Sequence, residues 1–111
     1  MGKSFLMAFD LGGGSARCLL ADVDTGTTFS AKRNWSHPVA PDTAGLGFDL
    51  DLGDMWNKLG EACRQVMLEA GAEAEDVRGV AACSMRNTTV LLDGDGNPLF
   101  AVPNQDARAL G

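Results

Sequence analysis

The stretch of this chain best equipped for chemistry is Asp10-Leu11-Gly12-Gly13-Gly14-Ser15-Ala16-Arg17. Consecutive glycines let several backbone N–H groups face one point, and such a concave set of amides holds phosphate oxygens. Ser15 adds a hydroxyl, and Arg17 adds a fork of donors long enough to reach a terminal phosphate. Asp10 closes a short apolar run and is placed to hold Mg²⁺ through water. The stretch is not a Walker A loop, because no Lys-Ser/Thr pair follows the glycines and a strand pattern follows instead of a helix. The same difference separates it from a dinucleotide fingerprint. An ordinary glycine-rich hairpin would explain the glycines alone. The phosphate reading rests on the whole phrase: apolar strand, Asp, glycine turn, Ser, Arg, second strand, Asp, glycine turn, third strand.

Two further segments carry polar groups suited to a ligand. In Cys83-Ser84-Met85-Arg86-Asn87-Thr88-Thr89-Val90 a strand ends in polar residues, and Arg86 and Asn87 could donate to sugar hydroxyls or a carbonyl. They read equally as surface groups at a strand end. In Asn104-Gln105-Asp106-Ala107-Arg108, Asp106 could accept from a hydroxyl and Arg108 could pair with it. A solvated helix start explains that segment as well. Asp93-Gly94-Asp95-Gly96-Asn97 is rich in oxygens but lacks the spacing and closing Glu of a calcium loop, so it reads as a hairpin turn.

The elements that must position these groups follow from periodicity. Phe5 to Phe9 is a continuous apolar run, which predicts a strand buried on both faces. Residues 16–23 and 27–35 predict two more strands, separated by the turn Asp24-Thr25-Gly26, so the chain opens as an antiparallel meander. Residues 36–53, with their prolines and glycines, predict a long loop anchored by Phe48 and Leu50. Asp54 to Ala70 predicts a helix with Asp54 as N-cap and Gly71 as terminator. Its stripe of Met55, Trp56, Leu59, Ala62, Cys63, Val66, Met67 and Ala70 is the packing face. Val77 to Ser84 predicts a strand parallel to the first, reached by a helical crossover. Residues 88–92 and 98–102 predict a hairpin, and residues 103–111 the start of a helix or a loop.

Composition narrows the class. The 111 residues are 45% hydrophobic, enough for one core and at most one domain. A net charge of −6 argues against nucleic acid, which needs clustered Lys and Arg, but leaves room for one nucleotide held by local donors and a metal ion. The three scattered cysteines, without a C-x-x-C pair, read as free thiols in a reducing cytoplasm. No apolar run approaches a membrane span or a signal peptide.

Together the three motifs resemble the FGGY carbohydrate kinases, and the likeness runs from about Phe5 to Leu110. Asp-x-Gly-Gly-Gly-Ser-x-Arg resembles the family's first phosphate motif. Ser84-Met85-Arg86-Asn87-Thr88-Thr89-Val90 resembles its substrate-binding Arg segment, and Asn104-Gln105-Asp106-Ala107-Arg108-Ala109 its Trp-x-Asp-x-Arg segment. Asn87 stands where many relatives have Glu, and Asn104 where many have a Trp wall. Within the family, Trp35-Ser36-His37-Pro38-Val39-Ala40-Pro41-Asp42, Phe48-Asp49-Leu50 and Asn104 are most similar to the autoinducer-2 kinase branch.

The resemblance implies an α/β fold of the ribonuclease-H-like, actin-like ATPase type: a mixed sheet with a three-strand meander, here the incomplete N-terminal domain of a two-domain kinase. It implies ATP and Mg²⁺ as cofactors and a small sugar-like substrate, such as the dihydroxypentanedione autoinducer-2 or a related ketose or polyol. Phosphate contacts would come from Gly12, Gly13, Gly14, Ser15 and Arg17, the metal contact from Asp10, and substrate contacts from Arg86, Asn87, Asn104 and Asp106. The general-base Asp, the adenine site and the second domain would lie beyond Gly111, leaving these residues inactive alone. Their open edges would favour a homodimer or strand exchange. The rival implied by the same Asp–glycine turn is an actin- or chaperone-like ATP-binding module with no small-molecule substrate.

Overall fold

A computed structural model describes residues 2–110. The strands β1 (Phe5–Leu11), β2 (Ser15–Asp22) and β3 (Thr28–Asn34) form the antiparallel meander, and β4 (Val77–Ser84) lies parallel to β1. The sheet order is β3-β2-β1-β4, with the helix α1 (Leu52–Ala70) in the crossover between β3 and β4. Asp10 faces Arg17 across the β1–β2 ladder, and Leu11 registers with Ser84 of β4. The glycine turn, the end of β3 and the end of β4 therefore meet at one end of the sheet.

One face of the sheet is covered. Phe5 and Met7 of β1, Cys18 and Leu20 of β2, and Ala31 of β3 pack against Ala62 and Val66 of α1. Truncating the fully buried Phe5 to Ala should cost about 3–5 kcal/mol. Burial along β1 alternates, so the expectation of a strand buried on both faces is corrected: Leu6 is 52% exposed on the open face. An unbroken apolar run specifies cover on both sides only when a second layer is there to supply it.

Asp51, not Asp54, caps α1. Its backbone is extended, and its Oδ1 accepts the Asp54 N–H at 3.0 Å. Such a cap contributes about 1 kcal/mol. Asp54 lies within the first turn, where its carboxylate meets the Lys58 ammonium at 3.0 Å. Gly71 ends the helix in the left-handed region at φ 62°, and the following N–H of Ala72 returns to the Met67 carbonyl at 2.9 Å.

The packing stripe of α1 needs a second correction. Trp56 is 73% exposed. The helix lies mainly over β2 and β3 and covers Phe5 and Met7 of β1, so β4 and the Phe9–Leu11 end of β1 are left uncovered on that sheet face. Trp56, Leu59 and Cys63 overlook that uncovered part and, with Phe9, Leu11 and Ala82, border an open apolar cavity of about 600 Å³.

Residues 36–50 are an ordered loop with an internal ladder. Val39 bridges Phe48, the Ala40 N–H meets the Gly47 carbonyl, and the Asp49 N–H meets the Pro38 carbonyl. The Leu50 N–H reaches Ala101 in the separate hairpin of β5 (Thr89–Leu92) and β6 (Pro98–Val102). The Asp93 carboxylate closes that hairpin's turn, accepting from the Asp95 and Asn97 N–H groups and the Asn97 side chain. Because the hairpin reaches away from the main sheet, the molecule measures 59 × 28 × 19 Å. Its radius of gyration is 16.9 Å, against about 13 Å for a compact chain of this length. Among the described residues no helix is long and apolar enough to cross a membrane.

Candidate active site

The glycine turn joins β1 to β2 with its donors only partly used. The Gly12 N–H bonds the Ser15 carbonyl at 2.8 Å, closing the base of the turn. Among the described residues no backbone hydrogen bond takes up the N–H of Gly13 or Gly14. None of the three glycines has φ in the left-handed region. A Cβ at Gly14 would meet open space, at Gly12 the Ser15 carbonyl oxygen at 3.7 Å, and at Gly13 the Asn104 Oδ1 at 3.6 Å. The turn's own conformation and surroundings thus impose no ban on side chains. Glycine at these positions leaves the backbone open to close approach by a ligand.

The carbonyls of the turn are held from outside. The Trp35 backbone N–H donates to the Gly14 carbonyl at 3.0 Å, and His37 Nε2 stands 2.6 Å from the Gly13 carbonyl. His37 was not singled out from the sequence. In the sequence it appears only as part of the Trp35–Asp42 phrase that resembles the autoinducer-2 kinase branch, with no role attached to it.

Asp10 is exposed on the open face of the sheet, beside the turn. Arg17 stands opposite it, and Lys32 of β3 registers with Arg17 on the same face. No ion pair among the described residues engages any of the three. Lys32 is a second basic group that sequence reading passed over; strand pairing, not local sequence, puts it there. A lone, solvent-facing carboxylate beside free amides suits Mg²⁺, which keeps much of its water and takes its other ligands from phosphate oxygens. Among the described residues no cluster of three or more His, Cys, Asp or Glu side chains could hold a metal alone. Asp10 is therefore at most one ligand of a metal whose other ligands come from outside these residues.

Arg86 and Asn87 form the exposed turn after β4, at the same end of the sheet. Asn87 has φ 61°, a left-handed conformation that Asn tolerates better than most residues. Asn104 brings the third motif to the first, with its side-chain oxygen facing Gly13.

Asp106 has a largely internal set of partners. Its Oδ2 accepts the Phe48 N–H at 2.8 Å and Arg108 Nε at 2.8 Å, while Oδ1 has one long contact of 3.3 Å from the Arg108 N–H. Arg108 reaches on to the Phe48 carbonyl at 2.9 Å and Asp49 Oδ1 at 3.1 Å, and its guanidinium lies over the Phe100 ring. Burial pushes the Asp106 carboxyl up, but the Phe48 N–H and the Arg108 bonds outweigh it and hold the group below the ordinary carboxylate range. The hydrogen bonds from Arg108 to Asp106 and Asp49 raise the guanidinium in turn. This clamp ties the long loop to the segment that carries Asn104, and Oδ1 is the Asp106 atom with capacity left.

The mixed sheet of order β3-β2-β1-β4, with the glycine turn after β1, the long loop after β3 and the polar turn after β4 at one end, has the ribonuclease-H-like, actin-like fold of the solved sugar-kinase structures it resembles. Residues 5–111 match the N-terminal domain of the FGGY family of carbohydrate kinases. The chain belongs to that family. Autoinducer-2 kinase of Escherichia coli (strain SMS-3-5 / SECEC) is 38% identical over 107 residues, covering 96% of this chain and 20% of that protein. Autoinducer-2 kinase of Yersinia enterocolitica is 38% identical over 105 residues, covering 95% and 20%. The chain thus spans 20% of the length of these curated relatives. Gluconate kinase from Lactobacillus acidophilus shares the fold with a TM-score of 0.78 at 12% identity, over 95% of this chain and 20% of that one. Plasmodium falciparum glycerol kinase with ADP gives 0.75 at 15% identity, over 97% and 22%.

Proposed function

We propose that these residues are the phosphate-binding and substrate-side part of an ATP-dependent kinase. It would transfer the γ-phosphate of ATP to a hydroxyl of a small sugar-like metabolite, with autoinducer-2 the leading acceptor. The observation that carries this reading is the glycine turn: free amides at Gly13 and Gly14, glycines the fold does not demand, and Asn104 beside them. The resemblance to two autoinducer-2 kinases supports the choice of acceptor.

In this reading Gly13, Gly14 and Ser15 donate to the phosphate oxygens, and Arg17 spans to the terminal phosphate. Asp10 holds Mg²⁺ through water, and the metal, when bound, neutralises charge on those oxygens. Arg86, Asn87, Asn104 and Asp106 orient the acceptor hydroxyl in line with the phosphorus. Positioning of this kind can supply about 7–11 kcal/mol. A downstream carboxylate takes the hydroxyl proton, and closure of a second domain excludes water. The open sheet face, the exposed edge of β4 and the bare apolar cavity favour a larger protein in which these residues are one part, inactive alone and prone to self-association. The free thiols and acidic surface suit a cytoplasmic enzyme.

The test is acceptor-dependent ADP release by the whole protein with Mg²⁺ and ATP. Dihydroxypentanedione, xylulose, gluconate and glycerol are supplied in turn. A clear preference for the dione supports the full reading, and a preference for another polyol keeps the kinase but changes its acceptor. ATP hydrolysis indifferent to every acceptor would favour the actin- or chaperone-like module.

A further inference from the structure

We propose that His37 is a positioning residue for the phosphate-binding turn, holding the Gly13 carbonyl so that the next peptide N–H, that of Gly14, is aimed at the phosphate. The inference rests on the phosphate reading of the turn and adds to it a residue from a different element.

A carbonyl oxygen only accepts, so the 2.6 Å contact requires a proton on His37 Nε2. In a planar trans peptide the C=O of Gly13 and the N–H of Gly14 point in opposite directions. Fixing the oxygen toward His37 therefore aims the Gly14 N–H away from it. The neighbouring peptide is fixed in the same way, because the Trp35 N–H holds the Gly14 carbonyl at 3.0 Å and so orients the peptide that carries the Ser15 N–H. Glycine has more backbone freedom than any other residue, so a run of three needs restraint from outside to stay ordered for a ligand.

His37 is well placed to give that restraint. It is half-buried, and Trp35, two residues before it, is bonded to Gly14. Pro38 restricts the His37 backbone to extended conformations, and the Pro38 carbonyl is itself held by the Asp49 N–H at 2.9 Å. The adjoining Phe48 N–H is anchored on Asp106 Oδ2 at 2.8 Å. The imidazole thus projects from a segment fixed on both sides, and a rigid brace meets a flexible turn.

The test uses the whole protein with His37→Leu, His37→Asn and His37→Gln. Leu removes the donor, Asn keeps an amide too short to reach, and Gln places an N–H near the position of Nε2. Calorimetry with the non-hydrolysable analogue AMP-PNP and Mg²⁺ reads the phosphate site, and adenosine reads the rest of the nucleotide site. His37→Leu and His37→Asn should weaken AMP-PNP binding about tenfold, the scale of one lost orienting hydrogen bond. Adenosine affinity should stay within about threefold, and His37→Gln should restore AMP-PNP to within about threefold of the native value. Equal losses for both ligands, or no loss in Leu and Asn, would overturn the proposal. Should Leu and Asn fail to fold, a tenfold loss in a folded Gln variant overturns it and native affinity supports it. Gly14→Ala, measured alongside, separates the two levels. If it weakens AMP-PNP while the His37 variants do not, only the His37 inference fails; if it too has no effect, the phosphate reading fails.

Discussion

Strand β2 has a tight turn at each end, and the two are built on opposite plans. The turn from β2 to β3 satisfies itself. Asp22 Oδ1 accepts the N–H groups of Asp24 and Thr25, the Gly26 N–H returns to the Asp22 carbonyl, and Gly26 is glycine because its φ is 75°. The turn from β1 to β2 leaves the Gly13 and Gly14 amides free, has its carbonyls held by Trp35 and His37, and contains glycines that neither φ nor a close neighbour demands. A turn that serves only the fold consumes its own donors. The second turn instead leaves two exposed amides facing solvent, which is the arrangement the proposed phosphate contact needs.

Substitutions should separate the two turns cleanly. The largest effect is expected from Gly14→Val in the whole protein. Two phosphate hydrogen bonds at about 1.5–3 kcal/mol each are at risk, so affinity for Mg²⁺-ATP should fall at least about 100-fold with the melting curve intact. Gly14→Ala should even stabilise by about 0.4–1 kcal/mol, provided its backbone stays as it is. Asp10→Asn comes next. The Mg²⁺ concentration giving half-maximal phosphoryl transfer should rise about tenfold, again without loss of fold, because no ion pair depends on Asp10. Gly26→Ala should behave in reverse, costing about 1–2 kcal/mol by denaturant unfolding while ATP affinity is unchanged. If Gly26→Ala weakened ATP and Gly14→Val only destabilised, the distinction between the turns would be lost.

Smaller effects concern what surrounds the turns. Asp106 lies below its unfolded value of about 3.9, so the clamp's contribution is complete above that value and is lost as pH falls through the lower folded one. Acid unfolding of Asp106→Asn should therefore lack part of the steepness of the native curve below pH ~4. The smallest signal is thiol labelling at neutral pH. Burial, and then the neighbouring Cys63, push the Cys18 thiol up to about 12. Exposed Cys83 should react first, half-buried Cys63 slowly, and Cys18 only on unfolding.

Much of this was legible in the sequence because local signals decided it. Apolar runs broken by Asp-Gly turns specify the strands, and the 3.6 period specifies α1. The misreadings arose where distant partners decide. Asp51 and Asp54 both resemble caps, and only the backbone path into the helix chooses between them. Trp56 has the phase of a core residue, but it points over the side of the sheet that α1 does not cover. The ladder within residues 36–50 depends on Asp106 through Phe48, a contact with no local sequence signal. His37 and Lys32 join the site only because β3 ends, or pairs, beside the glycine turn.

The most direct test of the central claim is a crystal structure of the whole protein with ADP and Mg²⁺. The account predicts phosphate oxygens within about 3.2 Å of the Gly13 and Gly14 amide nitrogens, with Asp10 one water away from the metal. Phosphates bound elsewhere, with those two amides facing only solvent, would contradict it.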